Sequence, residues 1–347
     1  MNNNSLNCDI LILGGGIVGL TIAYQLLNRE ISKNIFIFEN ENSLGMHTSG
    51  RNSGVLHAGL YYKPESLKAK VCVSGSRRLQ HWMKERNLKI NKCGKIVIPT
   101  NQKLDAQLDE LFYRGKSNGA EVYIINQEDI NEIIPEALSP SGRAIWSPNT
   151  SVVNPMEVIE VLQNELKEKG VKIFLNTKEW KIEDKYKRIV LRNGSKISFG
   201  HIINATGLQA DKVAHNFGVG KQYTLLPFKG YYWKLKKNSP FKIKTNLYPV
   251  PDLNVPFLGV HFTPNYNNSE VYIGPTATPA FGRYNYKLFE GIEPLMAFSN
   301  ITKLAKQYLF NKEGFRRYGN EQALLALPPL FLKAAKELIP SLLSNHI

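Results

Sequence analysis

At 347 residues and 39.3 kDa the chain can hold one large or two medium domains, and 43% hydrophobic with 21% charged residues is ordinary for a globular protein. The net charge of +15 raises nucleic acid as a partner, but the excess is scattered Lys with no Arg-rich run, zinc-finger spacing or RNA-binding aromatic motif. That argues against nucleic acid and leaves a solvated Lys-rich surface, with attraction for an acidic substrate or an anionic membrane as the alternative.

No apolar run reaches the roughly 18 residues of a membrane span, and the N-terminus shows no secretory pattern. Cys8, Cys72 and Cys93 lie far apart with no C-x-x-C pair, which points to a reducing compartment rather than to disulfides or structural zinc. A cytoplasmic chain is expected, either free or peripheral at the inner face of the membrane.

Residues 9–13 (DILIL) form a continuous apolar run of the kind found in buried parallel strands. They enter Gly14-x-Gly16-x-x-Gly19, after which residues 20–27 show helical period and residues 34–39 a second strand. The first Gly makes the tight turn, the second lets backbone approach a pyrophosphate, and the third packs helix against strand. The free N–H groups and dipole of the helix start favour the phosphates. Glu39 follows Gly19 by about 20 residues, the spacing at which an acid takes ribose hydroxyls. An acid there also argues against a 2′-phosphate.

Residues 45–59 (GMHTSGRNSGVLHAG) are too rich in Gly and small polar residues for a regular element. Helix is expected over 66–85, strand over 94–99 and helix over 103–118. Asn154-Pro155 supplies a cap and a first-turn proline for a helix running to Gly170. Strands follow at 171–175, 180–183, 188–192 and 196–205, with Asn193-Gly194 as a hairpin turn. Past Gly220 come short Tyr-, Phe- and Pro-rich strands to Phe281, then two helices.

The expected fold class is α/β: a Rossmann-type, glutathione-reductase-like FAD-binding domain interleaved with an antiparallel-sheet substrate domain. The expected boundaries are 1–88 with 150–218 and 320–347 for the first, and 89–149 with 219–319 for the second. FAD is preferred to NAD on two segments. Residues Asn204-Ala-Thr-Gly207 end an apolar strand and resemble the A-T-G motif of glutathione-reductase-like flavoproteins. Ser49, Arg51, Asn52 and Ser53 in the 45–59 loop can reach the pyrophosphate and flavin. The cofactor set is therefore Gly14, Gly16, Gly19, Glu39, Ser49, Arg51, Asn52, Ser53, Thr206 and Gly207.

The stretch 47–70 (HTSGRNSGVLHAGLYYKPESLKAK) resembles the L-2-hydroxyglutarate dehydrogenase/oxidase family, within the D-amino-acid-oxidase-like flavoproteins. The likeness continues through Cys93-Gly94-Lys95, residues 227–230 (PFKG), 248–252 (YPVPD) and 256–263 (PFLGVHFT). It reaches Gly274-Pro275, Ala280-Phe281 and Arg283, so it covers nearly the whole chain. The resemblance implies FAD-dependent oxidation of L-2-hydroxyglutarate to 2-oxoglutarate. In that reaction C2 gives a hydride to the flavin while a base takes the hydroxyl proton, and oxygen or a quinone receives the electrons. His suits the base at neutral pH, and His57 and His261 stand in the two family-specific blocks. Each could equally be a packed, hydrogen-bonded histidine. Arg283, Lys229 and Tyr248 are the candidates for a dicarboxylate hydroxy acid, since carboxylates need cationic partners.

The family pattern runs on past residues 333–338 into a G-V-R-A-Q segment and an N-A-P-S-P-A-A-T-S-S run that opens a helix. The sequence here reaches Ile347 without them. The expectation is therefore a last strand and helix missing from the FAD domain, with a second chain as one source of them. Two alternatives to the L-2-hydroxyglutarate reading stay open. One is the same fold acting on another 2-hydroxy acid, an amino acid or glycerol 3-phosphate. The other is an inactive FAD-binding relic, or half of a split enzyme.

Overall fold

The computed structural model describes residues 6–183, 187–251, 259–311 and 314–347. Part of the 248–252 and 256–263 motifs, namely residues 252 and 256–258, lies outside them. The chain divides into two compact units, Met1–Asn52 with Asn154–Leu225, and Ser53–Val153 with Leu226–Ile347.

The first unit is built on a six-stranded sheet. Its order is Trp180–Glu183, Arg188–Leu191, Lys196–Asn204, Leu6–Leu13, Ile35–Phe38, Lys172–Phe174. The last four run parallel and the first three antiparallel. IFIF (Ile35–Phe38) is buried at every residue, as a parallel strand covered on both faces must be. Leu13 pairs with Phe38 on one side and Asn204 on the other, so Gly14, Glu39 and Ala205 leave the sheet at one edge. Carboxyl ends of parallel strands are where such sheets bind ligands. The helix Ile17–Asn28 follows the glycines, and Asn154 caps Pro155–Glu168 by accepting from the Met156 N–H.

The second unit carries a seven-stranded sheet. Its order is Trp233–Lys234, Val271–Gly274, His261–Pro264, Asn246–Pro249, Lys95–Ile98, Arg143–Ser147, Tyr123–Asn126. It is antiparallel as expected except at one place, where Asn246–Pro249 runs parallel to Lys95–Ile98. Residues 95–98 and 246–249 are joined by a long crossover rather than a hairpin, which is what a parallel pair requires.

Side chains alternate across this sheet with period two. Ile96, Ile98, Leu247 and Phe262 pack on one core with Phe331, Ala335, Leu338, Ile339 and Leu342 from the C-terminal segment. Val97, Ile145 and Tyr248 pack on the other, with Leu108 and Leu111 from the helix Asp105–Ser117. Segments 53–88 and 320–347 belong to this unit, not to the first unit where the sequence pattern puts them. The reason for the second is the apolar stripe from Phe331 to Leu342, which is buried against the sheet. The Leu338 carbonyl also accepts from the Leu138 N–H at 3.1 Å.

The C-terminal region holds three helices among the described residues instead of two: Pro294–Leu309, Phe315–Leu325 and Pro328–Lys336. The split before the last one is set by Pro328 and Pro329, which cannot donate within a helix but are tolerated in its first turn. Phe331 is fully buried and stacks on Trp233 at 5.8 Å between ring centroids. Phe331→Ala is expected to lower stability by about 3–5 kcal/mol. A urea midpoint left unchanged would show that this segment does not hold the second unit's core.

Candidate active site

The first unit forms a cradle at its sheet edge. Gly14 has φ +106°, a left-handed conformation that favours glycine, and a Cβ there would lie 2.4 Å from the Ala205 carbonyl oxygen. At Gly19 a Cβ would lie 2.0 Å from the Gly14 oxygen. At Gly16 it would meet the Ser49 hydroxyl at 2.9 Å. Gly16 caps the helix with no side chain, and Ser49 Oγ accepts from the Ile17 N–H at 3.0 Å. A helix start with no side chain at its N-cap and the closely packed glycines are what a dinucleotide pyrophosphate needs. Glu39 Oε2 accepts from the Gly15 N–H at 2.8 Å and Oε1 from the Glu41 N–H at 3.0 Å. Each carboxylate oxygen keeps a further lone pair for ribose hydroxyls.

The loop side chains brace their own backbone. Arg51 Nε donates to the Met46 carbonyl at 2.8 Å, and Asn52 donates to the carbonyls of Thr48 and Ser49. Thr206 is tied through its hydroxyl to Asn204 Oδ1 at 2.7 Å. Gly207 has φ +52° and begins the short turn that follows. Ser53 belongs to the other unit, where it lines a cavity.

That cavity, of about 220 Å³, brings together His57, Tyr248 and His261, with Ser53, Tyr232, Thr276 and Gln322 also in its wall. Tyr248 and His261 are cross-strand neighbours, since Leu247 pairs with Phe262 in the antiparallel register. Their rings stack with centroids 3.8 Å apart and planes at 28°. Tyr248 is 1% exposed and its hydroxyl lies 3.3 Å from Thr263 Oγ1.

The two histidines are held differently. His261 Nδ1 lies 2.9 Å from the Gly259 carbonyl, which can only accept, so Nδ1 carries the proton and Nε2 is a free acceptor. Burial, with a further push from Lys95, brings the His261 pKa down to about 3, and the ring stays neutral. His57 keeps one edge on the cavity. Burial of its ring, then the charge of Lys95 and the nearby His261, holds its pKa well below the usual range.

Arg283 and Lys229 are not brought to this cavity among the described residues that line it. Lys229 Nζ donates to Asn285 Oδ1 at 2.9 Å and to the Lys287 carbonyl at 2.8 Å. Arg283 is 6% exposed, with its backbone N–H on Glu293 Oε1 at 2.8 Å. The group sequence reasoning passed over is Lys95. It is fully buried, and its Nζ lies 3.0 Å from His57 Nδ1 and 4.1 Å from the Tyr248 ring centroid. A signal was present: the run KIVI would be an unremarkable buried strand but for a lysine on the same face as Val97.

A family model described as FAD dependent oxidoreductase matches residues 9–345. The chain belongs to this family. It is a FAD-dependent oxidoreductase, FAD is its cofactor, and the cradle of the first unit has the residues to hold it. The oxidoreductase is 37% identical over 313 residues to the mitochondrial L-2-hydroxyglutarate dehydrogenase of Caenorhabditis briggsae, covering 86% of this chain and 71% of that one. It is 35% identical to the human mitochondrial L-2-hydroxyglutarate dehydrogenase, covering 86% and 68%. To the L-2-hydroxyglutarate dehydrogenase of Indibacter alkaliphilus it is 34% identical, covering 99% and 85%.

Among solved structures, the oxidoreductase superposes on the FAD-bound L-α-glycerophosphate oxidase of Mycoplasma pneumoniae with a TM-score of 0.70 at 20% identity, covering 98% of this chain and 80% of that one. Glycine oxidase from Geobacillus kaustophilus gives 0.64 at 18%, covering 79% and 72%. Identities this low speak for the fold. No helix among the described residues is long and apolar enough to cross a membrane.

Proposed function

We propose that the oxidoreductase converts L-2-hydroxyglutarate to 2-oxoglutarate, with the second unit's cavity as the substrate site. The observation that carries this reading is a cavity walled by two histidines held neutral, one with a free Nε2, in the two sequence blocks that resemble the L-2-hydroxyglutarate dehydrogenase/oxidase family. FAD, when bound, takes the C2 hydride. One of His57 and His261 accepts the hydroxyl proton, and buried Tyr248 walls the site and keeps water out.

In the cofactor cradle, Gly14, Gly16 and Gly19 leave room for the pyrophosphate and Glu39 takes the ribose. Ser49, Arg51, Asn52, Thr206 and Gly207 shape the adjoining loops, and Ser53 faces the cavity. Arg283 and Lys229 lie off this cavity and take no part in the reading, and oxygen or a quinone takes the electrons afterwards. The reading is tested by anaerobic mixing of the FAD-loaded protein with L-2-hydroxyglutarate, its D-enantiomer, glycerol 3-phosphate and amino acids. Bleaching of the flavin fastest by L-2-hydroxyglutarate supports it, and faster bleaching by any of the others overturns it.

A peripheral contact with anionic membrane is supported by Phe289, Leu295 and Phe298, each more than 70% exposed, beside Lys303 and Lys306 on the helix Pro294–Leu309. Flotation with vesicles rich in anionic lipid is expected to carry the protein upward, and less so for Phe298→Ser. Equal recovery with neutral vesicles would argue against it.

A further inference from the structure

Lys95 sits on the face of the sheet that carries Tyr248 and His261, in the strand next to that of Tyr248. A fully buried ammonium ordinarily has a carboxylate beside it, and among the described residues none is within ion-pair reach of this one. Its surroundings are His57 and Tyr61 from the loop, Cys72 from the helix Leu67–Glu85, Cys93 ahead of its own strand, and Tyr248 and His261 from the neighbouring strands. Burial pushes the two thiols and both tyrosine hydroxyls toward their protonated, neutral forms. Among the described residues nothing anionic therefore balances the charge. Burial brings the Lys95 pKa down to about 7, with the thiols opposing only in part.

Its one polar side-chain contact among the described residues is His57 Nδ1 at 3.0 Å, and this has a consequence for the proton. An ammonium has only donors, so a charged Lys95 makes Nδ1 the acceptor and leaves the neutral ring protonated at Nε2. Such a ring can donate into the cavity but cannot take a proton from it. A neutral amine accepts from Nδ1–H, and Nε2 becomes the free acceptor.

We propose that Lys95 is the positioning residue behind His57: it selects the tautomer that makes His57 a base, and as the neutral amine it receives the proton His57 passes on. This rests on the reading of the cavity as the substrate site. In the step, the substrate O–H bond breaks and an N–H bond forms at His57 Nε2. The Nδ1–H bond breaks and an N–H bond forms at Lys95 Nζ, leaving His57 neutral and Lys95 an ammonium. The hydride leaves C2 to FAD as in the oxidation proposed above, so charge and electrons balance. The hydroxyl has a single proton to give, so His261, an acceptor at Nε2 but a weak base, walls the cavity without taking it.

The direction with pH follows. Below about 7 Lys95 is charged and His57 is locked as a donor, so the rate of flavin reduction rises with pH, about tenfold per unit, and levels off above that midpoint. Two readouts test this. In 15N-histidine NMR of the flavin-loaded wild type, with His57 assigned by its loss in His57→Gln, the protonated nitrogen is expected to switch from Nε2 to Nδ1 near pH 7. In Lys95→Arg, which stays a donor at every pH, it is expected to remain Nε2. In stopped-flow reduction by L-2-hydroxyglutarate, Lys95→Met and Lys95→Arg are expected to lose the rise with pH and to fall at least 10-fold at pH 9. A His57 tautomer indifferent to pH in the wild type overturns the proposal without recourse to any variant. So does a wild-type pH profile in both Lys95 variants. If L-2-hydroxyglutarate reduces no flavin at any pH, the substrate assignment fails, and the NMR titration still decides the coupling of Lys95 to His57.

Discussion

Gly19→Ala is expected to yield protein that keeps no flavin through purification. The added Cβ would stand 2.0 Å from the Gly14 carbonyl oxygen and 3.2 Å from Ile12 Cγ2. The nearest obstacle is backbone, so no rotamer change relieves it, and either the helix Ile17–Asn28 backs away from its strand or the loop moves. Each route displaces the N–H groups at the helix start that would hold the phosphates. Gly75→Ala is the control: nothing lies within 4 Å of its Cβ, and it sits inside the helix Leu67–Glu85. That change should stabilise by roughly 0.5–1 kcal/mol and leave flavin in place. The flavin-to-protein absorbance ratio reads both. Full occupancy in Gly19→Ala would mean the phosphates bind elsewhere.

The second large effect is catalytic. His57→Ala combined with His261→Ala should slow flavin reduction by roughly 10²–10⁴-fold while flavin content holds, because a positioned base supplies about that factor. The two rings share one cavity but not one role. His261 is fixed by the Gly259 carbonyl and stacked on Tyr248, whereas the proton on His57 is set by Lys95. The single variants should therefore differ, His57→Ala removing the rise of rate with pH and His261→Ala leaving it. An unchanged rate in the double variant would move the base to another group.

Much of the first unit was legible because its signals are local. The apolar run into three glycines and the Asn154-Pro155 cap each act within a few residues, and the structure shows the strand Leu6–Leu13, the helix Ile17–Asn28 and the cap on Pro155–Glu168. The cluster around His57 was only half legible. A family-specific block marks a histidine, but the partner that decides its proton lies 38 residues away, in a chain with 44 Lys and Arg. Only the register of three strands brings Lys95, Tyr248 and His261 together, and register is a property of the whole sheet.

The C-terminal segment failed for a related reason. Phe331 and Ala335 on the helix Pro328–Lys336, with Leu338 and Ile339 just past it, are buried, but an apolar stripe does not name the surface that buries it. The capping box of Asn126 and Asp129, which opens the helix Gln127–Ile133, is a local signal of the kind a sequence carries.

The most direct test of the central claim is the product of a single anaerobic turnover. The FAD-loaded protein is mixed with excess L-2-hydroxyglutarate, quenched once the flavin has bleached, and assayed for 2-oxoglutarate. One 2-oxoglutarate per FAD reduced is the result expected of a C2 oxidation. Bleached flavin without 2-oxoglutarate, or flavin that stays oxidised while the acid is present, would contradict it.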